Sequence, residues 1–315
     1  MKEEIDILAD ELESLLLEEA KKYEGLPLAL SGGVDSSLLA ALTKPAFVVS
    51  VRLPGGDKHN EIQYSSLVAE HLNLKHYIIE LDHDKFDEYF SIAVKAIGRP
   101  IPHFNIFPLY VMYEYLKRMG VTKLILGDGP DETMFGYGRQ LIMAYLYSIF
   151  AYEAFDDYQP AIDKVLPGIV ESYAKLTGKK EEEIIKVFAD SGEDIMRAIC
   201  KVDILLMRPD MDDMSNGIAK YFGITNLRPY QDNMDIDNYM LDLPLTAKIH
   251  NVEYGKYTLR KVAERYLPHE IAWRKKKVGG PVYPVNRLKG WMKYGEFDKR
   301  LYLEAQKKIL NEIYH

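Results

Sequence analysis

Cysteine is nearly absent from this chain: Cys200 is the single one among 315 residues. One thiol forms no intramolecular disulfide and no cysteine-rich zinc site, and it fits a reducing compartment. Also missing is any apolar run long enough to span a bilayer. The N-terminal stretch MKEEIDILADELESLLLEEAKKYEG is acidic and amphipathic, unlike the basic-then-apolar start of a secretory signal. The expectation is a soluble, cytoplasmic protein. Positive charge is scarce, with 40 Lys and Arg against 48 Asp and Glu and a net charge of −8. That balance argues against nucleic acid and acidic membranes as partners. The catalytic signatures HExxH and GxSxG are absent, and the eight histidines are scattered as surface or core residues are. Neither a low-complexity linker nor an internal repeat divides the chain.

What is present is enough apolar sequence for a substantial core, 47% of the residues. The most informative stretch is Leu26–Leu42, LPLALSGGVDSSLLAAL. An apolar run stops at Ser31-Gly32-Gly33, then Asp35-Ser36-Ser37 lead into a helical pattern. This predicts a buried strand, a tight turn rich in backbone N–H groups and the positive end of a helix. Adjacent glycines let backbone approach a ligand, and the helix start with three serine hydroxyls favours an anion, best a phosphate. No Gly-Lys-Ser/Thr follows, so this is not a Walker A loop. The plainer alternative is a capped strand–turn–helix connection.

Strands are expected at Ala46–Val51, His76–Leu81 and Lys123–Leu126, with helices over 5–22, 60–72, 85–97 and 107–119 between and before them. The N-terminal helix is expected to pack on the domain that follows it. Strands alternating with helices predict an α/β fold whose parallel sheet is flanked by helices. In such sheets ligands sit beyond the carboxyl ends of the strands. Two strand ends carry Gly and Asp: the loop at Ser31, and Gly127-Asp128-Gly129-Pro130-Asp131-Glu132. Asp35 and Asp131 together suit Mg²⁺, which takes one or two carboxylates plus phosphate oxygens and water; a plain turn with acidic residues at a helix start is the alternative. From Ala144 to 267 the pattern reads as helix after helix, punctuated by Pro160, Pro167, Pro209, Pro229 and Pro244. The expected division is an α/β nucleotide-binding part, 1–143, and a mainly helical part, 144–315, packed on it. The latter carries a basic, glycine-flanked loop at 274–280.

SGGVDSS resembles the PP-loop of the ATP pyrophosphatases, which split ATP into AMP and pyrophosphate. Three further stretches, in order, are similar to the synthetase domain of the asparagine synthetase superfamily. LILGDGPDETMFGYG resembles (L/S)GEGSDE(L/V)FGGY; FGITNLRPYQDNMDIDNYMLDLP resembles G(V/L)E.R.P(F/Y)LD…..A..LP; LRKVAERYLPHEIAWRKKK resembles LR…YLP..I.WR.K. The resemblance implies a HUP-like PP-loop fold and an ATP-dependent amide ligase of amino-acid biosynthesis, forming an acyl-adenylate of aspartate or a related carboxylate. It implies that Ser31, Gly32, Gly33, Asp35 and Ser36 hold pyrophosphate, that Leu30, Val51 and Gly127 contact the adenosine, and that Asp35 and Asp131 bind Mg²⁺. Lys276 matches the family's catalytic lysine, and Asp128 stands where the family has the glutamate facing the reacting amine.

Three departures bear on the substrate. Lys2 follows Met1, so no N-terminal cysteine releases ammonia from glutamine; free ammonia, another amine or a separate glutaminase subunit is the expected nitrogen source, and a homo-oligomer is a possible assembly. Asp128 is one methylene shorter than the family's Glu. NLRPYQD sets its arginine directly beside Pro229, and Pro130 replaces a serine. Two other readings stay open: a PP-loop enzyme that modifies tRNA or nucleobases, and a non-catalytic ATP- or AMP-binding protein. The lone cysteine and acidic balance disfavour the first, and the completeness of the motifs disfavours the second.

Overall fold

The computed structural model describes residues 3–52, 61–103, 105–154, 159–191, 194–275, 292–293, 296–297 and 299–311. The chain folds into two compact units, neither continuous in sequence. One comprises Tyr23–Leu126 and Asp210–Leu227 with the C-terminal helix Lys299–Asn311; the other comprises Met1–Lys22, Gly127–Pro209 and Arg228–Lys277.

The first unit is built on a five-stranded parallel sheet. Leu28–Ala29 (β1), Val48–Arg52 (β2), His76–Glu80 (β3), Lys123–Ile125 (β4) and Thr225–Leu227 (β5) lie in the order β3-β2-β1-β4-β5. Parallel neighbours need long crossovers, and helices such as Val34–Thr43, Ile62–His71 and Ile106–Arg118 occupy them. The expected α/β architecture is the observed one. Its core gathers Phe86, Phe90, Phe107, Tyr110 and Tyr113 against Val49, Leu124 and Ile218. The Phe86 and Phe107 rings meet edge to face, with centroids 5.0 Å apart, a favoured aromatic geometry. The C-terminal helix buries Tyr302 in the same core, and its Gln306 amide exchanges two hydrogen bonds with the Ile101 backbone, at 2.8 and 2.9 Å.

Strand order reverses direction at β1. The chain steps outward through β2 and β3, then returns to the other side of β1 with β4 and β5. The crevice beyond the carboxyl ends of β1 and β4 is therefore the topological switch point, where open α/β sheets bind ligands.

The second unit has its own core of Phe135, Tyr173, Ile184, Ile199, Cys200 and Val202. Burial pushes the Cys200 thiol up to about 12, so it behaves as a small core residue and not as a nucleophile. The N-terminal helix, Glu4–Ala20, buries Ala9, Leu12, Leu16 and Ala20. It was expected against the domain that follows, but it belongs to this unit and packs on the helix Tyr257–Ala263. Just beyond that helix, Tyr266 donates to Glu13 at 2.5 Å and Arg265 pairs with Asp10 at 2.8 Å, polar contacts that help fix the match.

The all-helical reading of 144–267 needs correction at two places. Thr225–Leu227 completes the sheet, and Ile249–Asn251 pairs antiparallel with Tyr254–Gly255. Nor do the prolines all punctuate: Pro167 lies inside the helix Gln159–Thr177. Pro209 lies in the first turn of the helix Arg208–Tyr221, just after a π-helical turn at Asp203–Met207. That turn closes with the Arg208 N–H bonded to the Asp203 carbonyl, and the next residue is the proline, which has no N–H to place.

Candidate active site

In the sheet unit, the loop after β1 is built around Gly32. Its φ is +74°, and a Cβ there would sit 2.6 Å from the Ser65 nitrogen and 2.8 Å from the Tyr64 Cβ. Only glycine fits that turn. Serines lock the rest: the Ser31 and Ser36 hydroxyls lie 3.0 Å apart, Ser31 N–H donates to the Ser36 hydroxyl, and Gly33 N–H donates to the Ser31 hydroxyl at 3.2 Å. The helix Val34–Thr43 starts immediately after Gly33, with no side chain capping it, and Asp35 stands in its first turn. Amides, hydroxyls and the helix dipole thus converge on one small space suited to phosphate.

The strand ends behind the loop are tied down. Leu30 N–H donates to the Val49 carbonyl at 2.8 Å, and the Ser50 hydroxyl donates to the Leu30 carbonyl at 2.6 Å. Ser50 also meets His76 Nε2 at 2.8 Å, and burial holds the His76 imidazole below its ordinary range. Leu30, Ser31, Gly32, Gly33, Asp35, Ser36 and Val51 therefore sit together at the carboxyl ends of β1 and β2.

Gly127, Asp128 and Asp131 belong to the second unit, on the chain leaving β4. Asp131 opens the short helix Pro130–Thr133, and its carboxylate meets Lys256 Nζ at 2.5 Å. Lys256 is 4% exposed and left-handed (φ +59°), and its N–H donates to the Met134 carbonyl. A buried ammonium beside Asp131 was not legible in the sequence; the only hint is the Gly255-Lys256 pair just ahead of a helix. Asp128 is half exposed and pairs with the buried Arg228. Arg208 bonds Asp237 through two nitrogens, at 2.8 and 3.0 Å. Lys276, the expected catalytic lysine, lies outside the described residues, as does the loop beyond Lys275.

Following Asp131 in the chain lies a buried polar network. Asp203 is fully buried and accepts from Arg139 (2.5 Å), Gln140 (2.7 Å) and Tyr173 (3.0 Å). Glu132 is buried too, and accepts from the Tyr137 hydroxyl. Burial, with the Asp131 charge adding to it, pushes the Glu132 carboxyl up to about 8. Glu132 thus keeps its proton in the folded protein up to about pH 8, whereas the unfolded chain releases it near 4.5. The folded state binds more protons in between, so this residue makes stability fall as pH rises from about 5 to about 8. Glu132→Gln should flatten that slope in urea unfolding at pH 5, 6.5 and 8; parallel curves for the two proteins would contradict it.

Among the described residues no group of three or more His, Cys, Asp or Glu side chains forms a metal cage. Asp35, in the first turn of the helix after the loop, and Asp131, in the other unit, are single carboxylates, the donor type that Mg²⁺ takes beside water and phosphate oxygens. Nor is any described helix long and apolar enough to cross a membrane. A hollow of about 340 Å³ lined by His250, Tyr254, Tyr257 and Trp273 includes none of these residues; the Arg260 guanidinium already lies over its Tyr254 and Trp273 rings.

A parallel sheet whose first strand runs into a glycine–serine anion loop at the switch point defines a PP-loop, HUP-like nucleotide-binding fold. The family model for asparagine synthase matches residues 25–308, and the chain belongs to that family. It is 26% identical to a putative asparagine synthetase [glutamine-hydrolyzing] 1 of Methanocaldococcus jannaschii, over 96% of this chain and 54% of that protein. It is 24% identical to asparagine synthetase B [glutamine-hydrolyzing] of Escherichia coli, over 79% of this chain and 39% of that protein. An NH(3)-dependent NAD(+) synthetase of Carboxydothermus hydrogenoformans is 33% identical over 82 residues, 25% of this chain and 32% of that protein. The chain spans about half the length, or less, of these relatives.

Proposed function

We propose that this chain is an ATP-dependent carbon–nitrogen ligase. It joins a carboxylate, aspartate or a related amino acid, to ammonia or an amine, and releases AMP and pyrophosphate. The observation that carries this reading is the loop at Ser31–Ser37, where glycine, serine hydroxyls and a helix start combine into an anion-suited turn at the switch point. Family membership supports the same chemistry. In the first step a carboxylate oxygen bonds to the α-phosphorus while the bond to the bridging oxygen of pyrophosphate breaks. In the second, the nitrogen bonds to the acyl carbon, AMP leaves with the electron pair, and a proton goes to solvent.

In this reading Ser31, Gly32, Gly33 and Ser36 orient the leaving pyrophosphate, and Leu30, Val51 and Gly127 flank the adenosine. Asp35 and Asp131 hold Mg²⁺, which neutralises phosphate charge when bound. Lys276 stabilises charge on the α-phosphate and on the later oxyanion. Asp128 faces the incoming nitrogen. Ammonia comes from solution or from a separate glutaminase subunit, and the reaction takes place in the cytoplasm. AMP and pyrophosphate release, followed across a panel of amino acids with and without ammonium chloride, tests this. Equal AMP and pyrophosphate that depend on one carboxylate are expected. Formation of ADP and phosphate, or ATP binding without turnover on any carboxylate, would contradict it.

A further inference from the structure

Ser50 stands among three strands at the point where the sheet opens. The β1–β2 ladder ends with Ala29 opposite Val49, whereas β2 stays paired with β3 as far as Arg52 and Glu80. Its last rung is the Leu30 N–H donating to the Val49 carbonyl at 2.8 Å. In a parallel ladder the next rung runs from Val51 N–H to the Leu30 carbonyl. In its place the Ser50 hydroxyl donates to that carbonyl at 2.6 Å, and both residues are buried.

A serine hydroxyl has one proton to give. With that proton on Leu30, the 2.8 Å contact between Ser50 and His76 Nε2 takes its hydrogen from the imidazole. The hydrogen-bond network thus assigns His76 the Nε2–H tautomer, and burial resists a second proton on the ring. Donation from His76 polarises the hydroxyl and strengthens its bond to Leu30. Side-chain bonds therefore run from β3 through β2 to the carbonyl where β1 ends.

Backbone groups alternate in direction along a strand, so those of Val51 point as those of Val49 do, toward β1. At that level β1 has already turned into Ser31-Gly32-Gly33. By holding the Leu30 carbonyl, the hydroxyl keeps Val51 N–H from closing on it. The two strands stay parted at the mouth of the crevice.

Resting on the adenosine placement in the ligase reading above, with Leu30 and Val51 flanking it, we propose that Ser50 is a positioning residue for ATP and that His76 orients its hydroxyl. Ser50 touches no reacting atom. It acts by stopping the ladder one rung short, so that the adenosine has its space. Without the hydroxyl the backbone satisfies itself: Val51 N–H bonds the Leu30 carbonyl, and the site narrows while the sheet loses little.

The test titrates the full chain with ATP and magnesium chloride by calorimetry, with no carboxylate present, beside thermal unfolding and amide hydrogen exchange. Ser50→Ala should raise the Kd for ATP about tenfold, the size of one hydrogen bond at the upper end of the usual range. Its Tm should stay within about 2 °C of that of the unaltered protein, and its Val51 amide should exchange more slowly, protected by the new rung. Ser50→Thr keeps the hydroxyl, and His76→Gln keeps a side-chain N–H; each should bind ATP within about threefold of the unaltered protein. A merely structural Ser50 would lower Tm in Ser50→Ala and leave the Kd for ATP unmoved, and that result overturns the inference. So does a Val51 amide as protected as the Val49 amide in the unaltered, nucleotide-free protein, a measurement for which no variant has to fold. Tight ATP binding with no AMP or pyrophosphate formed on any carboxylate overturns the ligase reading alone. No ATP binding by the unaltered protein overturns both.

Discussion

Asp203→Ala should cost about 3–4 kcal/mol of stability, the scale of removing one partner from a buried ion pair. At about 2–4 °C per kcal/mol, that lowers Tm by roughly 6–16 °C. Three donors lose their acceptor at once: Arg139, Gln140 and Tyr173. Arg139 is about a quarter exposed and can turn partly toward water, whereas Gln140 and Tyr173 are fully buried and cannot. Burial raises the Asp203 carboxyl above its usual range, and the Arg139 charge, followed by the hydrogen bonds from Arg139, Tyr173 and Gln140, opposes that. Asp203→Asn keeps an acceptor and should fall about midway. Thermal and urea unfolding measure both variants, and a loss under about 1 kcal/mol for Asp203→Ala would mean that the network is not under load.

The second large effect is chemical. Lys276→Ala should slow amide formation by at least about 10²-fold, the usual consequence of removing one donor aimed at developing charge. Its Tm should stay close to that of the unaltered protein. Lys276→Arg should recover little, because a planar fork does not replace a compact ammonium on a flexible stem. Steady-state amide formation at saturating ATP reads the effect. Turnover within a few-fold of normal would remove Lys276 from the chemistry and leave another cation to do its work; buried Lys256 beside Asp131 is the one to examine next.

How far the sequence leads depends on which forces write themselves into local order. AFVVSV and HYIIEL form strands because buried parallel strands are continuous apolar runs, and SGGVDSS announces its loop because only glycine tolerates that turn. Thr225–Leu227 was not legible. It pairs on one side only, with β4, and its TNL carries a single large apolar residue, so periodicity has nothing to detect. Pro209 reads as a break because proline lacks an N–H, yet the π-turn before it absorbs that lack. Among site residues, the glycines, serines and aspartates follow from motif chemistry. Lys256, Arg208 and Asp203 do not, since each owes its role to a partner far away in sequence. Arg228 falls between: its shift is visible in the text of the chain, but its meeting with Asp128 is not.

In the proposed reaction a substrate carboxylate attacks the α-phosphorus of ATP. Aspartate, or whichever carboxylate supports turnover, labelled with ¹⁸O in the reacting carboxyl group tests it by mass spectrometry of the released nucleotide. Transfer of one ¹⁸O into the phosphate of AMP is the predicted result. Unlabelled AMP, with the label kept in the amide product or appearing in inorganic phosphate, would contradict it.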